Sequence, residues 1–220
     1  MYEVKTELRP SGLRGISEEQ IAQHWQVYEG YVAQVDMLRE ELAFLRREGL
    51  SGNLIFADRR RRFGYEFNGM LLHEYYFDNL RANVLIPAET SPLRNAIDAQ
   101  FGSFDAFRSD LMATGSTRSV GWAVLYLDPE TQTLDNHFVR LHQDGNVAGF
   151  VPLLVMDVWE HAYMVDRPVS GRLDYIFAFL NNVDWHVVEQ RFDRAMTGDR
   201  SRQGASRAAE SEQRTTGVDA

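Results

Sequence analysis

Apolar residues recur at close to helical period from Ile21 through Trp25, Tyr28, Val32, Val35, Leu38 and Leu42 to Leu45. The string Ser17-Glu18-Glu19-Gln20 precedes them and has the form of a capping box. Together they predict a helix from Ser17 to about Glu48, stopped by Gly49 to Asn53. A second stripe of Phe67, Leu71, Tyr75 and Leu80 predicts a helix from about Phe63 to Asn83. Two long helices joined by a short loop read as an antiparallel hairpin. Pro87 and Pro92 mark a boundary near residue 90, followed by short helices at Pro92 to Phe101 and, behind Ser103, Phe104 to about Ala113. The pattern then changes. Residues 121–127 are strand-like, Thr133 to His142 alternates, and Val151 to Met156 forms an apolar run, with turns at Asp128-Pro129-Glu130 and at Gln143 to Asn146. Helical segments follow at about 160–166, 172–180 and Trp185 to Met196.

The fold class that results is α+β. Residues 1–88 are expected to hold an irregular arm and the helical hairpin, and residues 89–197 a three-stranded antiparallel sheet with surrounding helices. From Gly198 aromatic residues vanish and Ser, Arg, Gln, Gly and Ala dominate, so 198–220 is expected to be a disordered tail.

With 220 residues, 44% of them hydrophobic, the chain can bury a sizeable core. It has no cysteine, which excludes disulfides, thiolate metal sites and a cysteine nucleophile. Its net charge of -9 disfavours nucleic acid and anionic membranes as partners. Arg59 to Arg62 read as a solvated helix start rather than a nucleic-acid patch. Met1 to Ser17 has no apolar core of signal-peptide length, and no apolar run reaches about 18 residues, so a soluble cytoplasmic protein is expected. There is no glycine-rich phosphate loop, nucleophile elbow or Walker lysine.

The chemistry concentrates in Asp157-Val158-Trp159-Glu160-His161-Ala162-Tyr163. On a helix or helical turn, Asp157 and His161 share one face. A carboxylate beside an imidazole suits a divalent or trivalent first-row metal; the plainer alternative is a buried Asp–His pair or two polar groups at a helix start. His24 and His73 lie among apolar residues of the two hairpin helices, where a lone histidine is more often a satisfied core residue. Convergence of both with Asp157 and His161 would give three nitrogens and one oxygen, a set for iron or manganese rather than zinc. His137, His142 and His186 are not expected to be ligands.

The string from Asp157 to Tyr163 is the signature of iron/manganese superoxide dismutases, and the resemblance extends in order over about residues 2–195. Phe67-Asn68-Gly69 with His73 resembles that family's second-helix motif, Phe101-Gly102-Ser103-Phe104 its turn, Gly121-Trp122 its first strand and Gln143-Asp144 its strand end. Arg172, Asp174-Tyr175 and Trp185 resemble its C-terminal helices. The resemblance implies one manganese or iron ion per subunit held by His24, His73, Asp157 and His161. It makes Tyr31 the gateway tyrosine and Gln143 the glutamine bonded to metal-bound solvent, a position more typical of manganese members. Trp122 and Trp159 would wall the site, with Tyr163 nearby, Arg172 near a substrate funnel, and Glu160 crossing a two-fold interface to orient His161 of the partner subunit. The implied activity is conversion of superoxide to dioxygen and hydrogen peroxide by a homodimer or tetramer. The rival readings are a non-catalytic relative that uses the scaffold for binding, and a metalloenzyme whose altered first helix has changed its substrate.

The first helix departs from the family's pattern. Counting forward from Ile16 puts His24 on the ligand position, and counting back from Tyr31-Val32 puts Gln23 there. One residue is missing between them, and a helix turns about 100° per residue. The deletion has to be absorbed by regularising a bulge or by rotating part of the helix. His24 is preferred because glutamine is a poor replacement ligand. The family's interior histidine is absent, with Val27 or Tyr28 in its place, and Met164 stands where its tyrosine partner would be.

Overall fold

A computed structural model describes residues 1–198 of the chain. The helices are α1 (Glu18–Arg47), α2 (Leu54–Asp78), α3 (Pro92–Phe101), α4 (Phe104–Gly115), α5 (Arg172–Leu180) and α6 (Trp185–Met196). The strands are β1 (Trp122–Leu127), β2 (Leu134–Val139) and β3 (Val151–Asp157), and short 3-10 turns lie at Thr6–Leu8, Glu160–Ala162 and Val169–Gly171. The expected tail lies, beyond Gly198, outside the described residues.

Helix α1 begins where its cap dictates. The Ser17 hydroxyl accepts from the Gln20 amide, Glu18 and Glu19 sit in the positive first turn, and Arg46 and Arg47 in the negative last one. Between them the helix is uninterrupted over 30 residues. Its buried stripe from Ile21 to Leu45 packs against α2. That second helix starts at Leu54 rather than Phe63, because Asn53 caps it by accepting from the Phe56 amide. Arg59 to Arg62 therefore lie within the helix and not at its start. Arg59 pairs with Glu41 on α1, and Arg62 with Glu66 one turn on. The helix ends at Asp78, short of Asn83, whose φ of 56° leaves helical space. There the chain bridges instead to the start of α6, with Leu80 opposite Val183 and the Arg81 amide donating to the Asn182 carbonyl. The N-terminal arm packs on the hairpin, its Tyr2 amide donating to Asp36 and Lys5 pairing with the buried Glu74.

The sheet is antiparallel with β1 central, in the order β2-β1-β3. All six residues of β1 are buried, so the strand is apolar on both faces and lacks alternation. The register places Trp122 opposite both Val139 and Asp157. Strand β2 stops at Val139 rather than His142, since Leu141 adopts a φ of 54° and Arg140 bridges to Asp144 across a tight turn. Of the helical segment expected at 160–166, Glu160–Ala162 form one 3-10 turn, and residues 163–166 continue as turns without forming a helix. No helix among the described residues is long and apolar enough to cross a membrane.

One buried cation ties the layers together. Arg191 on α6 donates to Asp78 (2.7 Å) and Asn79 (2.6 Å) at the end of α2 and to the Leu153 carbonyl of β3 (2.8 Å). Removing one partner of a buried pair strands the other charge. Arg191→Ala should therefore cost about 3–5 kcal/mol in urea unfolding, far more than removal of the exposed Arg61–Asp58 pair.

Candidate metal centre

Four elements deliver four side chains to one point. His24 comes from the second turn of α1, His73 from the last turns of α2, Asp157 from the end of β3 and His161 from the following 3-10 turn. One ligand atom from each lies within 4.8 Å of every other. The Asp157 Oδ2 atom is the focus: His161 Nε2 is 3.0 Å away, His24 Nε2 3.1 Å and His73 Nε2 3.7 Å. Asp157 Oδ1 is held by the Trp159 amide at 2.8 Å. His24, His73 and Asp157 are fully buried, while His161 keeps about a quarter of its side chain exposed.

The surroundings orient each donor. His73 Nδ1 lies 2.6 Å from the Gly69 carbonyl, an acceptor only, so the ring proton resides there and Nε2 presents a lone pair. That Nε2 is buried and has no hydrogen-bond partner. Gln20 on α1 clamps the His161 turn, donating to the His161 carbonyl at 2.6 Å and accepting from the Val165 amide at 2.9 Å. Tyr175 on α5 donates to the Asp157 carbonyl at 2.7 Å. Burial pushes the His24 and His73 imidazoles below their ordinary range, His73 the further of the two. For Asp157, burial alone would raise the carboxyl; the charge and hydrogen bond of His161, then those of His24, override it and hold it ionised. Three imidazoles kept neutral or paired around one carboxylate, with an orphaned nitrogen lone pair, are the donor set of a mononuclear first-row metal. The residues fit manganese or iron.

The first-helix ambiguity resolves physically. His24 points into the cluster, whereas Gln23 is exposed and donates to Glu19. Because α1 is regular throughout, the seven-residue step from His24 to Tyr31 returns to nearly the same face. Tyr31 thus reaches the pocket with its ring 5.2 Å from that of His73. Tyr28 is buried, but its hydroxyl bonds the Lys5 amide and Glu74, away from the cluster. Met164 is exposed.

Gln143 requires a correction. Its side chain is exposed. The turn that ends β2 early turns His142 inward instead, fully buried. His142 Nε2 is 2.6 Å from the Tyr31 hydroxyl, and Nδ1 accepts from the Trp122 indole at 3.1 Å. Its ring stacks on Trp159, which in turn stacks on His161. The lean towards manganese drawn from Gln143 loses its basis here. His142 was weighed only as a ligand, and its place beside Tyr31 was not foreseen because it read as the last alternating residue of a strand.

Trp122 stands edge-on to His73. Tyr163 is buried with its ring stacked on Tyr175. Arg172 is half-buried and donates to the Ser119 carbonyl at 2.7 Å, its Nε and second Nη buried without partners. Glu160 is exposed.

Comparison with known proteins bears on the whole arrangement. The family described as iron/manganese superoxide dismutases, C-terminal domain, matches residues 89–191. The chain is 36% identical over 200 residues to a protein named superoxide dismutase [Fe] from Aquifex pyrophilus, covering 88% of this chain and 92% of that one. It is 35% identical over 181 residues to a superoxide dismutase [Fe] from Methanothermobacter thermautotrophicus, covering 81% and 87%. It is 34% identical over 175 residues to a superoxide dismutase [Mn] from Nocardia asteroides, covering 79% and 82%.

Two outcomes follow from the geometry. A Cβ on Gly69 would sit 2.7 Å from the Tyr31 ring. Gly69→Ala should then displace that ring and cost about 1–3 kcal/mol in urea unfolding, the usual toll of overpacking. The second concerns acid. Burial lowers the His142 pKa from 6.5 to about 4, so between those values the unfolded chain binds a proton that the folded one refuses, and stability falls as pH falls. His142→Gln should flatten the stability-against-pH slope by one proton in that window, as read from urea melts at several pH values.

Proposed function

We propose, for a chain that belongs to the iron/manganese superoxide dismutase family, that His24, His73, Asp157 and His161 hold its one redox ion. The activity is dismutation of superoxide: two superoxide ions and two protons give dioxygen and hydrogen peroxide. What carries the assignment is the convergence of three imidazoles on Asp157 Oδ2, with His73 Nε2 left as an unpartnered buried lone pair. When bound, the ion supplies a one-electron couple poised to oxidise one superoxide and reduce the next.

The chain's own residues do the rest. Burial of the four ligands and the hydrogen bonds behind them, Gly69 to His73 and Gln20 to the His161 turn, set the basicity and aim of the donors. Tyr31, Trp122, His142 and Trp159 line the approach and keep it narrow. Tyr31 is the group that hands protons to the reacting oxygens, and burial keeps the phenol protonated. A substrate anion approaching a chain of net charge -9 needs a local cation. Arg172 is that cation.

The ion is manganese or iron. Relatives carry either name, and a set of three nitrogens and one carboxylate oxygen accepts both. The subunit works as a homodimer. Supporting this are the exposed side chains of Met164, Val169, Leu173 and Phe177 on one stretch of chain, and the buried unpartnered donors of Trp159 and Arg172 beside them. In that dimer the exposed Glu160 reaches His161 of the partner subunit. A purely scaffolding role lacks support, since all four donor groups are retained and gathered.

His161→Ala should leave circular dichroism unchanged and reduce bound manganese plus iron, by elemental analysis, to near zero, with superoxide dismutation lost. Full metal content and full activity in that variant would refute the ligand assignment.

A further inference from the structure

The helical hairpin outruns the core. On α1 the continuous core ends at Val35, and on α2 it resumes at Phe63. Between them the two helices pack on each other through Leu38, Leu42 and Leu45, which are buried but lie outside that core. The turn that joins the helices lies about 35 Å along α1 from His24, at about 1.5 Å per residue.

This finger ends in exposed apolar side chains. Leu54 is 89% exposed, Ile55 57%, Phe44 51% and Leu50 43%. Phe44 is in the last turn of α1, Leu50 in the connecting turn, and Leu54 and Ile55 open α2. Around them the charge changes sign. Residues 44–62 carry six arginines against Glu48 and Asp58, a balance of +4 in a chain of -9. Extending the count to residues 39–66 takes in Glu41 and Glu66, the partners of Arg59 and Arg62, and still leaves seven arginines against five acids. Arg46, Arg47, Arg60 and Arg61 are exposed. Charge acts over about 8 Å at physiological salt, so a surface that meets the tip feels the tip and not the whole chain.

We propose that the hairpin tip is an interfacial anchor for an anionic lipid bilayer. Leu50, Leu54 and Ile55 enter the boundary between headgroups and acyl chains, and Arg46, Arg47, Arg60 and Arg61 meet the lipid phosphates. The net charge disfavours broad contact with such a surface, but the length of the finger holds the acidic bulk of the chain away from it. A convex apex of aliphatic chains flanked by arginines suits a surface that parts around it. Two such tips would repel each other, which argues against a second copy as the occupant.

The test is co-sedimentation of the metal-loaded full chain with vesicles of equal parts phosphatidylglycerol and phosphatidylcholine, and with vesicles of phosphatidylcholine alone. The wild type should pellet with the first and stay in solution with the second. Salt at about 1 M, where screening shortens to about 3 Å, should release it. Arg46→Gln with Arg47→Gln should weaken partition about twentyfold, on about fivefold per arginine. Leu54→Ser with Ile55→Ser, which removes two exposed side chains, should abolish pelleting. Melting temperature, metal content and dismutation in solution should match the wild type in both variants. Wild type that ignores the anionic vesicles would overturn the anchor, as would pelleting that neither variant reduces. Binding of soluble polyglutamate that competes with the vesicles and survives Leu54→Ser with Ile55→Ser would overturn it in favour of an acidic protein partner. A smaller assembly mass by light scattering in that variant, with vesicle binding unchanged, would overturn it in favour of a second copy.

Discussion

One buried carboxylate oxygen organises the molecule. Transferring an ionised carboxylate into a protein interior costs several kcal/mol unless close partners offset it. Asp157 is fully buried, and its Oδ2 atom meets imidazoles from α1, α2 and the turn after β3. No pair of adjacent elements could supply these partners. The carboxylate therefore demands that the hairpin and the sheet come together in one register. The sheet answers by placing Asp157 opposite Trp122 at the end of the central pair, and α5 answers by pinning the Asp157 carbonyl through Tyr175. A metal held at this point would add positive charge beside the buried carboxylate, so its binding and completion of the fold would be coupled.

Around that point, local sequence choices agree with the tertiary demand. The Ser17 cap sets the start of α1, and the regular turns that follow bring His24 and Tyr31 to one face. Gln20, one turn before His24, uses both ends of its amide to hold the loop that carries His161. Gly69 leaves room for the Tyr31 ring and gives its carbonyl to His73, so one residue serves the packing and the tautomer. Tyr28, one of the two residues that could stand in the interior histidine's place, spends its hydroxyl on the N-terminal arm and Glu74. The hydrogen-bonded chain of the pocket runs along the other side, from Trp122 through His142 to Tyr31.

Much of this was legible in the sequence, and what was not has identifiable causes. Helix α1, the two short helices after residue 91 and the three strands follow from period and capping residues, within the usual uncertainty at ends. The early start of α2 was missed because Asn53 was read as part of a stop signal, though it caps the next helix. The four donors could be named from the family's motif, but their meeting could not be seen in spacing, since they lie up to 137 positions apart between His24 and His161. Gln143 was the clearest misplacement. Alternation carried β2 on to His142, whereas a positive φ at Leu141 ends the strand and rotates the next side chain inward. A glycine at position 145 with φ 101° was the available hint that the turn begins earlier than its Gln-Asp pair suggests.

The exchange of an amide for an imidazole at this place is more than a change of name. Glutamine and neutral histidine each offer a donor nitrogen and a separate acceptor atom, so either can link an indole N–H to a phenol oxygen. A glutamine side chain has more rotors and can swing its amide between partners. The His142 ring is planar, stacked on Trp159 and locked by Trp122 into the tautomer that donates to Tyr31. Because that ring is buried, its charged form is disfavoured and the donor pattern stays constant across physiological pH. The pocket's donor pattern is therefore fixed at His142 by burial and stacking, where an amide could turn.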